Sequence, residues 1–210
     1  VSDSADVLRR AAQVSSGVPN YYGEQRFGIN GGNLTLAQQL FDGQSITDRK
    51  LRGLALSAAR SFVFNQQVSA RIAAGSFNRV LDGDVLQLNG SGSVFRAPQA
   101  DSTLQQRCNE QDVHITASLA GMGEPMVTDV AAAFEQQVLQ QHPALVQGLI
   151  DYRLKAERRA IRLLPQQLAL QPQGNDICLS FALPAGCFAT SVLRELVNYR
   201  DCGRNTSELE

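Results

Sequence analysis

The chain has 210 residues, 43% of them hydrophobic and 19% charged, which excludes a disordered chain and allows one large domain or two smaller ones. With 19 Lys and Arg against 20 Asp and Glu, bulk charge does not attract nucleic acid, so any RNA contact must come from local basic stripes. The apolar runs, such as residues 177–184, are far shorter than the ~20 residues a membrane-spanning helix needs.

Residues 1–4 do not resemble a signal peptide, and the start at Val1 sets the expectation of a piece cut from a longer protein. Ser4 is a plausible N-cap for a helix with Val7, Leu8, Ala11, Ala12 and Val14 on its apolar face, ended by Gly17. Residues 17–28 have neither a helical nor a strand period and are dense in glycine, aromatic and amide side chains, which predicts an ordered loop. Gly31, Gly32 and Asn33 continue the turn, and a short helix follows over 34–41. The longest helical pattern spans about 48–74, with Gly75 as its stop. Its apolar positions cover more than one face, so it reads as a core helix with neighbours on several sides.

Residues 82–95 read as two short strands around an Asn89-Gly90 turn. Ser102 and Gln105 have capping-box spacing for a helix through Cys108, and Val113 and Ile115 suit another strand. A helix is expected from Thr128, then one from Pro143 that Pro165 stops at the latest. After Pro165 the period changes to two: Leu168 and Leu170, a turn over 172–176, then Ile177, Leu179 and Phe181 make a half-buried hairpin. Residues 183–191 lead into a helix carrying Val192, Leu193, Leu196 and Val197, and 201–210 read as a loose tail. The pattern is α+β: helix-rich in the middle, with small hairpins and an antiparallel unit at the end.

Few residues suggest chemistry by themselves. The glycines of 28–33 lack a GxxxxGK[ST] pattern and fit a turn and helix cap better than a phosphate cradle. Asp82 and Asp84 have no third ligand or histidine nearby, so a turn is favoured over a metal or acid/base pair. His114 and His142 lack a nucleophile context, and Cys108, Cys178, Cys187 and Cys202 form no CxxC pair and read as reduced thiols, which fits the cytoplasm.

Arg49, Arg60 and Arg71 recur every 11 residues, close to three helical turns, so they could line one edge about 16 Å apart and follow an RNA backbone, or form a solvated ion-paired face. The stretch containing Arg158 and Arg159 leaves the same two readings open. Asn20, Tyr21, Gln25, Arg26 and Phe27 of the first loop could stack on bases and bond phosphates, or pack. Phe188 sits beside backbone amides at a helix start, a place for an anion or a flat ring, with a core position as the alternative.

The loop Gly-Val-Pro-Asn-Tyr-Tyr-Gly-Glu-Gln-Arg-Phe-Gly (17–28) resembles the GVPNYFGxQRFG signature of TruD tRNA pseudouridine synthases. Further similarity follows in order, in Ser-Ala-Ala-Arg-Ser (57–61) with Phe-Asn-Gln (64–66), Asp-Gly-Asp (82–84), Glu-Arg-Arg-Ala (157–160) with Leu-Pro-Gln (164–166), and Leu-Pro-Ala-Gly-Cys-Phe-Ala-Thr-Ser (183–191) with Arg194 and Glu195. The resemblance implies a catalytic domain, residues 1–17 and 166–210, interrupted by a TruD insertion domain over 18–165. It also implies isomerisation of a tRNA uridine, uridine-13, by an essential aspartate, with tRNA as partner and no metal or cofactor. Phe188 matches the family's pocket phenylalanine. The family's aspartate lies in a lysine–aspartate motif upstream of the signature, and no aspartate here has that context. It is therefore expected upstream of Val1, and these residues alone are expected to be inactive.

Overall fold

The computed structural model describes residues 4–174 and 176–198. Contacts divide the chain into two compact units: Pro19–Leu163 on one side, and on the other the described residues up to Val18 together with those from Leu164 onward. Helix α1 (Ser4–Val14) buries Val7, Ala11 and Val14 at helical spacing, and β1 (Val18–Pro19) follows the turn at Gly17, whose φ is +114°.

The larger unit is built around one long helix. After α2 (Gly32–Phe41), α3 runs over Arg49–Ala73. Its start is fixed by Asp48, whose Oδ1 accepts the Lys50 and Leu51 amides at 2.7 and 3.2 Å, satisfying donors that the first helical turn leaves over. Its end is fixed by Gly75 at φ +63°. Ala55, Ala58, Ala59, Val63, Phe64 and Val68 are buried on it, and the small residues let α2 and the elements that follow approach.

A four-stranded antiparallel sheet of order β3-β2-β4-β5 covers one side of α3. Strand β2 (Asp84–Leu88) forms the expected hairpin with β3 (Val94–Ala97), and α4 (Ser102–Asn109) connects to β4 (Val113–Leu119). Central β4 is buried on both faces, with Ser118 its one half-buried position. Phe64, Val68, Leu86, Ile115 and Ile161 form one core cluster, and Ala37, Ala55, Val63, Leu145 and Leu149 another. Helices α5 (Asp129–Leu139) and α6 (Pro143–Asp151) follow the sheet, with Pro143 in the first turn of α6.

Two local expectations differ from the fold. The cap of α4 is Asp101 rather than Ser102: its Oδ1 accepts the Leu104 amide at 2.7 Å, while the Gln105 side chain accepts the Val80 amide at 3.0 Å. The helix from Pro143 ends at Asp151, with Arg153 at φ +57°, and the chain then forms β5 (Glu157–Ala160) and β6 (Arg162–Leu163). Pairing with β4, Thr116 opposite Ala160 through Leu119 opposite Glu157, draws these basic residues into a strand.

In the smaller unit β7 (Gln166–Gln173) pairs antiparallel with β8 (Asp176–Ala182), with a register shift between Gln166 and Ala169. Leu168, Leu170, Ile177, Leu179 and Phe181 are half-buried at alternate positions. Helix α7 (Ala189–Leu196) buries Val192 and Leu196 and packs on α1. The whole is a mixed helix and antiparallel-sheet fold of the α+β class.

Candidate functional site

The loop 17–28 is held by side chains from distant parts of the larger unit. Asn20 is buried: its amide donates to Ile161 O at 2.7 Å, its Nδ2 to Ala160 O at 2.8 Å, and its Oδ1 accepts Arg159 Nη2 at 2.8 Å. Tyr22 is clasped by Asn65 of α3, which accepts its amide at 2.9 Å and donates to its carbonyl at 3.0 Å. The Tyr22 ring meets Phe64 edge-on at 5.6 Å, with the Arg159 guanidinium 4.3 Å and that of Arg26 5.3 Å from its centroid. Arg26 donates to Ser57 Oγ at 2.7 Å, Tyr21 Oη and Ser69 Oγ lie 3.0 Å apart, and Asn33 donates to Arg26 O at 3.1 Å.

Residues 24–31 form two successive 3-10 turns, Glu24–Phe27 and Ile29–Gly31, at the outer end of this loop. Gln25 is exposed and Phe27 half-buried. Glycine is required at Gly28, where φ is +76° and a Cβ would stand 3.0 Å from Asn33 Cγ. The loop is thus a built surface, with Asn20 and Tyr22 spent on holding it and the 3-10 turns presented outward.

The arginine row of α3 takes three different environments. Arg49 is exposed. Arg60 donates to Lys155 O at 2.7 Å and Glu157 Oε2 at 3.0 Å. Arg71 is 5% exposed, ion-paired with Asp84 and stacked on Phe134 with its guanidinium carbon 5.2 Å from the ring centroid. Arg158 also turns inward, gripping both oxygens of Glu135 at 2.8 and 2.9 Å and donating to Thr116 O at 2.8 Å. Arg159 lies in the Tyr22 stack. The structure therefore brings Asn20, Tyr22, Arg26 and Arg159 together and leaves Arg49 apart. The sequence does not reveal Asn65 and Ser57 as anchors of the loop, because their partners lie more than 30 residues away.

Asp82 and Asp84 serve the hairpin: Asp82 Oδ1 accepts the Ala100 amide at 2.7 Å, and Asp84 Oδ2 the Leu81 amide at 2.8 Å beside Arg71. Among the described residues no three potential metal ligands gather. His114 is buried in β4, and desolvation together with the nearby Arg162 holds its pKa down at about 4. His142 precedes α6 with its ring 5.2 Å from that of Phe62. Cys108 and Cys178 are free thiols, and burial raises the pKa of Cys108; Cys202 lies outside the described residues. Among the described residues no helix is long and apolar enough to cross a membrane.

In the smaller unit Phe188 occupies the N-cap of α7 with extended backbone, φ −117° and ψ 124°, and is half-buried. The turn before it closes through the Cys187 amide on Pro184 O at 3.2 Å, with Gly186 at φ +81°. Phe188 O then accepts the Ser191 amide at 3.0 Å, which opens the helix.

Comparison with known proteins gives a consistent result. The family model for tRNA pseudouridine synthase D (TruD) matches residues 38–196. The tRNA pseudouridine synthase D of Colwellia psychrerythraea is 46% identical over 198 residues, covering 90% of this chain and 54% of that protein. That of Pseudoalteromonas atlantica is 44% identical over 214 residues, covering 99% and 61%, and that of Aeromonas salmonicida 45% over 203 residues, covering 95% and 58%. The chain thus spans little more than half the length of these relatives. A Methanosarcina mazei crystal structure, assigned as tRNA pseudouridine synthase D, shares the fold at TM-score 0.65 and 17% identity, over 90% of this chain and 63% of that one.

Proposed function

Since this chain belongs to the tRNA pseudouridine synthase D family, we propose that it serves the conversion of a tRNA uridine, uridine-13 by resemblance, to pseudouridine. The observation that carries this reading is the signature loop, folded and anchored by Asn20, Tyr22, Asn65 and Arg159. In that reaction the base leaves its ribose, turns, and is rejoined through a different ring atom. The nucleophilic aspartate is the one that the resemblance places in a lysine–aspartate motif, which these residues do not contain.

On this reading residues 18–165 are the insertion domain, and 1–17 with 166–210 are parts of the catalytic domain. The division of contacts after Val18 and after Leu163 supports it. A uridine must leave its stack to react, which favours aromatic walls around it. Phe188 supplies one such wall, and its place at a helix N-cap is stiffened by the turn before it. Gln25, Phe27 and Arg49 are the RNA-facing groups of the larger unit, while Arg26 is held to Ser57. Asn20, Arg60, Arg71, Arg158 and Arg159 support the surface from beneath, because the bonds described above hold them to protein acceptors. Free thiols at Cys108 and Cys178 suit a cytoplasmic setting.

The test is pseudouridine formation on unmodified tRNA, measured for these 210 residues and for their fusion to the remaining part of the Colwellia psychrerythraea relative. The fusion is expected to turn over and the chain alone to bind without turnover. Turnover by the chain alone would remove the upstream aspartate from the proposal, and an inactive, non-binding fusion would remove the activity.

A further inference from the structure

The first turns of α3 contain a glycine that no contact among the described residues explains. Gly53 lies within the 25-residue helix with ordinary helical φ, and a Cβ built on it meets nothing within 4 Å. Glycine there costs helix stability relative to alanine. At Gly83, Gly121 and Gly148 a close protein atom accounts for the missing side chain, and at Gly53 none does.

Around it the surface is basic. Arg49 and Lys50 are exposed and Arg52 is half-buried, and among the described residues no ion pair engages any of them. The nearest carboxylate in sequence, Asp48, is occupied in capping the helix. At 100° per residue Lys50, Gly53, Leu54 and Ser57 fall on one stripe. Ser57 is where Arg26 docks the signature loop, at 2.7 Å. Leu54 is 39% exposed on the same stripe.

We infer that this stripe is a seat for the sugar–phosphate backbone of RNA: Gly53 lets the backbone approach the helix closely, Lys50 and Arg49 contact flanking phosphates, and the signature loop closes one end. The inference rests on the proposed tRNA reading and sharpens it, since it names the strip of helix on which the RNA lies. A cationic rim around an uncovered glycine matches a polyanion whose backbone must come close. An acidic protein segment would gain little from Gly53, and a neutral one would not use three cations in four residues.

The experiment compares Gly53→Ala, Gly53→Gln and Lys50→Ala in the full chain, with unmodified tRNA as probe across a salt titration. Gly53→Ala is expected to raise Tm by about 2 °C yet weaken tRNA binding, and Gly53→Gln to weaken it about tenfold. A glycine serving only the fold cannot move stability and binding in opposite senses. Lys50→Ala is expected to reduce the slope of log K against log salt by about 1. If the parent chain binds tRNA and all three variants keep its affinity and salt slope, the seat is overturned while the tRNA reading stands. If Gly53→Gln lowers Tm and leaves tRNA binding intact, the glycine serves protein packing and the seat is equally overturned. If the parent binds no tRNA at low salt, the seat and the reading fall together.

Discussion

Arg159 lies with its guanidinium 4.3 Å from the centre of the Tyr22 ring while its Nη2 donates to Asn20 Oδ1 at 2.8 Å. One side chain thus bonds to one loop residue and stacks on another from a strand 139 positions further along the chain than Asn20. A guanidinium can do both at once, because its plane stacks on an aromatic face while its edge donates; a lysine ammonium has no such plane. Arg159→Ala is expected to cost about 2–3 kcal/mol, through the lost stack, the lost bond and the orphaned Asn20 oxygen, and Arg159→Lys to recover less than half of that. Urea unfolding measures both. A cost for Arg159→Ala below about 0.5 kcal/mol, within the range of ordinary surface changes, would show that the loop does not depend on this contact.

Gly83 and Gly90 both have positive φ, +81° and +68°, yet only one of them is crowded. A Cβ at Gly83 would stand 2.0 Å from Thr128 O, in the turn where Gly83 O accepts the Thr128 amide at 3.1 Å. At Gly90 nothing lies within 4 Å. Gly83→Ala is therefore expected to cost more than about 3 kcal/mol or to prevent folding, whereas Gly90→Ala costs about 1 kcal/mol of backbone strain. Thermal melts of the two variants compare them directly, and equal melting temperatures would contradict the crowding at Thr128.

These contacts explain which parts of the fold were legible in the residues alone. Helix α3 was legible because its apolar positions repeat at helical spacing between Asp48 and Gly75. The β2–β3 and β7–β8 hairpins were legible from alternation and turn residues. Strand β5 was not, because its inward-facing residue is Arg158, whose burial depends on Glu135 of α5 and Thr116 of β4. A buried arginine looks like a surface one until its carboxylate partner is known. Arg71 repeats the point: its spacing from Arg49 and Arg60 fits a basic edge, and Asp84 draws it inside. The signature loop was recognisable as a motif, while the residues that hold it, Ser57, Asn65 and Arg159, come from segments that only the fold brings near.

Glu135 and Arg158 form a pair whose side chains are 11% and 6% exposed, and Glu135 Oε1 also accepts the Ser118 amide at 2.7 Å. Removing one partner leaves the other charge buried without compensation, a larger loss than removing both. Arg158→Ala is expected to cost about 3 kcal/mol, and the double change Glu135→Leu with Arg158→Met less than the sum of its single changes. A double-mutant cycle by chemical denaturation reads the difference. Additivity within about 0.3 kcal/mol would mean that the two residues do not act as a pair.

His114 gives the fold a pH dependence whose sign is set by its surroundings. It is 7% exposed, its Nδ1 lies 3.3 Å from Arg162 Nη2, and its pKa falls from 6.5 to about 4, by desolvation first and the Arg162 charge second, with Asp112 acting weakly the other way. Below pH 6.5 the unfolded chain takes up a proton that the folded chain refuses, so stability from this residue is complete above pH 6.5 and is lost as pH falls toward about 4. The slope from one such group is at most about 1.4 kcal/mol per pH unit. His114→Gln keeps an acceptor for Arg162 and removes the titration. Its unfolding free energy, measured by urea denaturation at pH 7, 5.5 and 4.5, is therefore expected to fall less steeply with acid than that of the parent. Parallel pH profiles for the two proteins would show that the acid sensitivity lies in other groups.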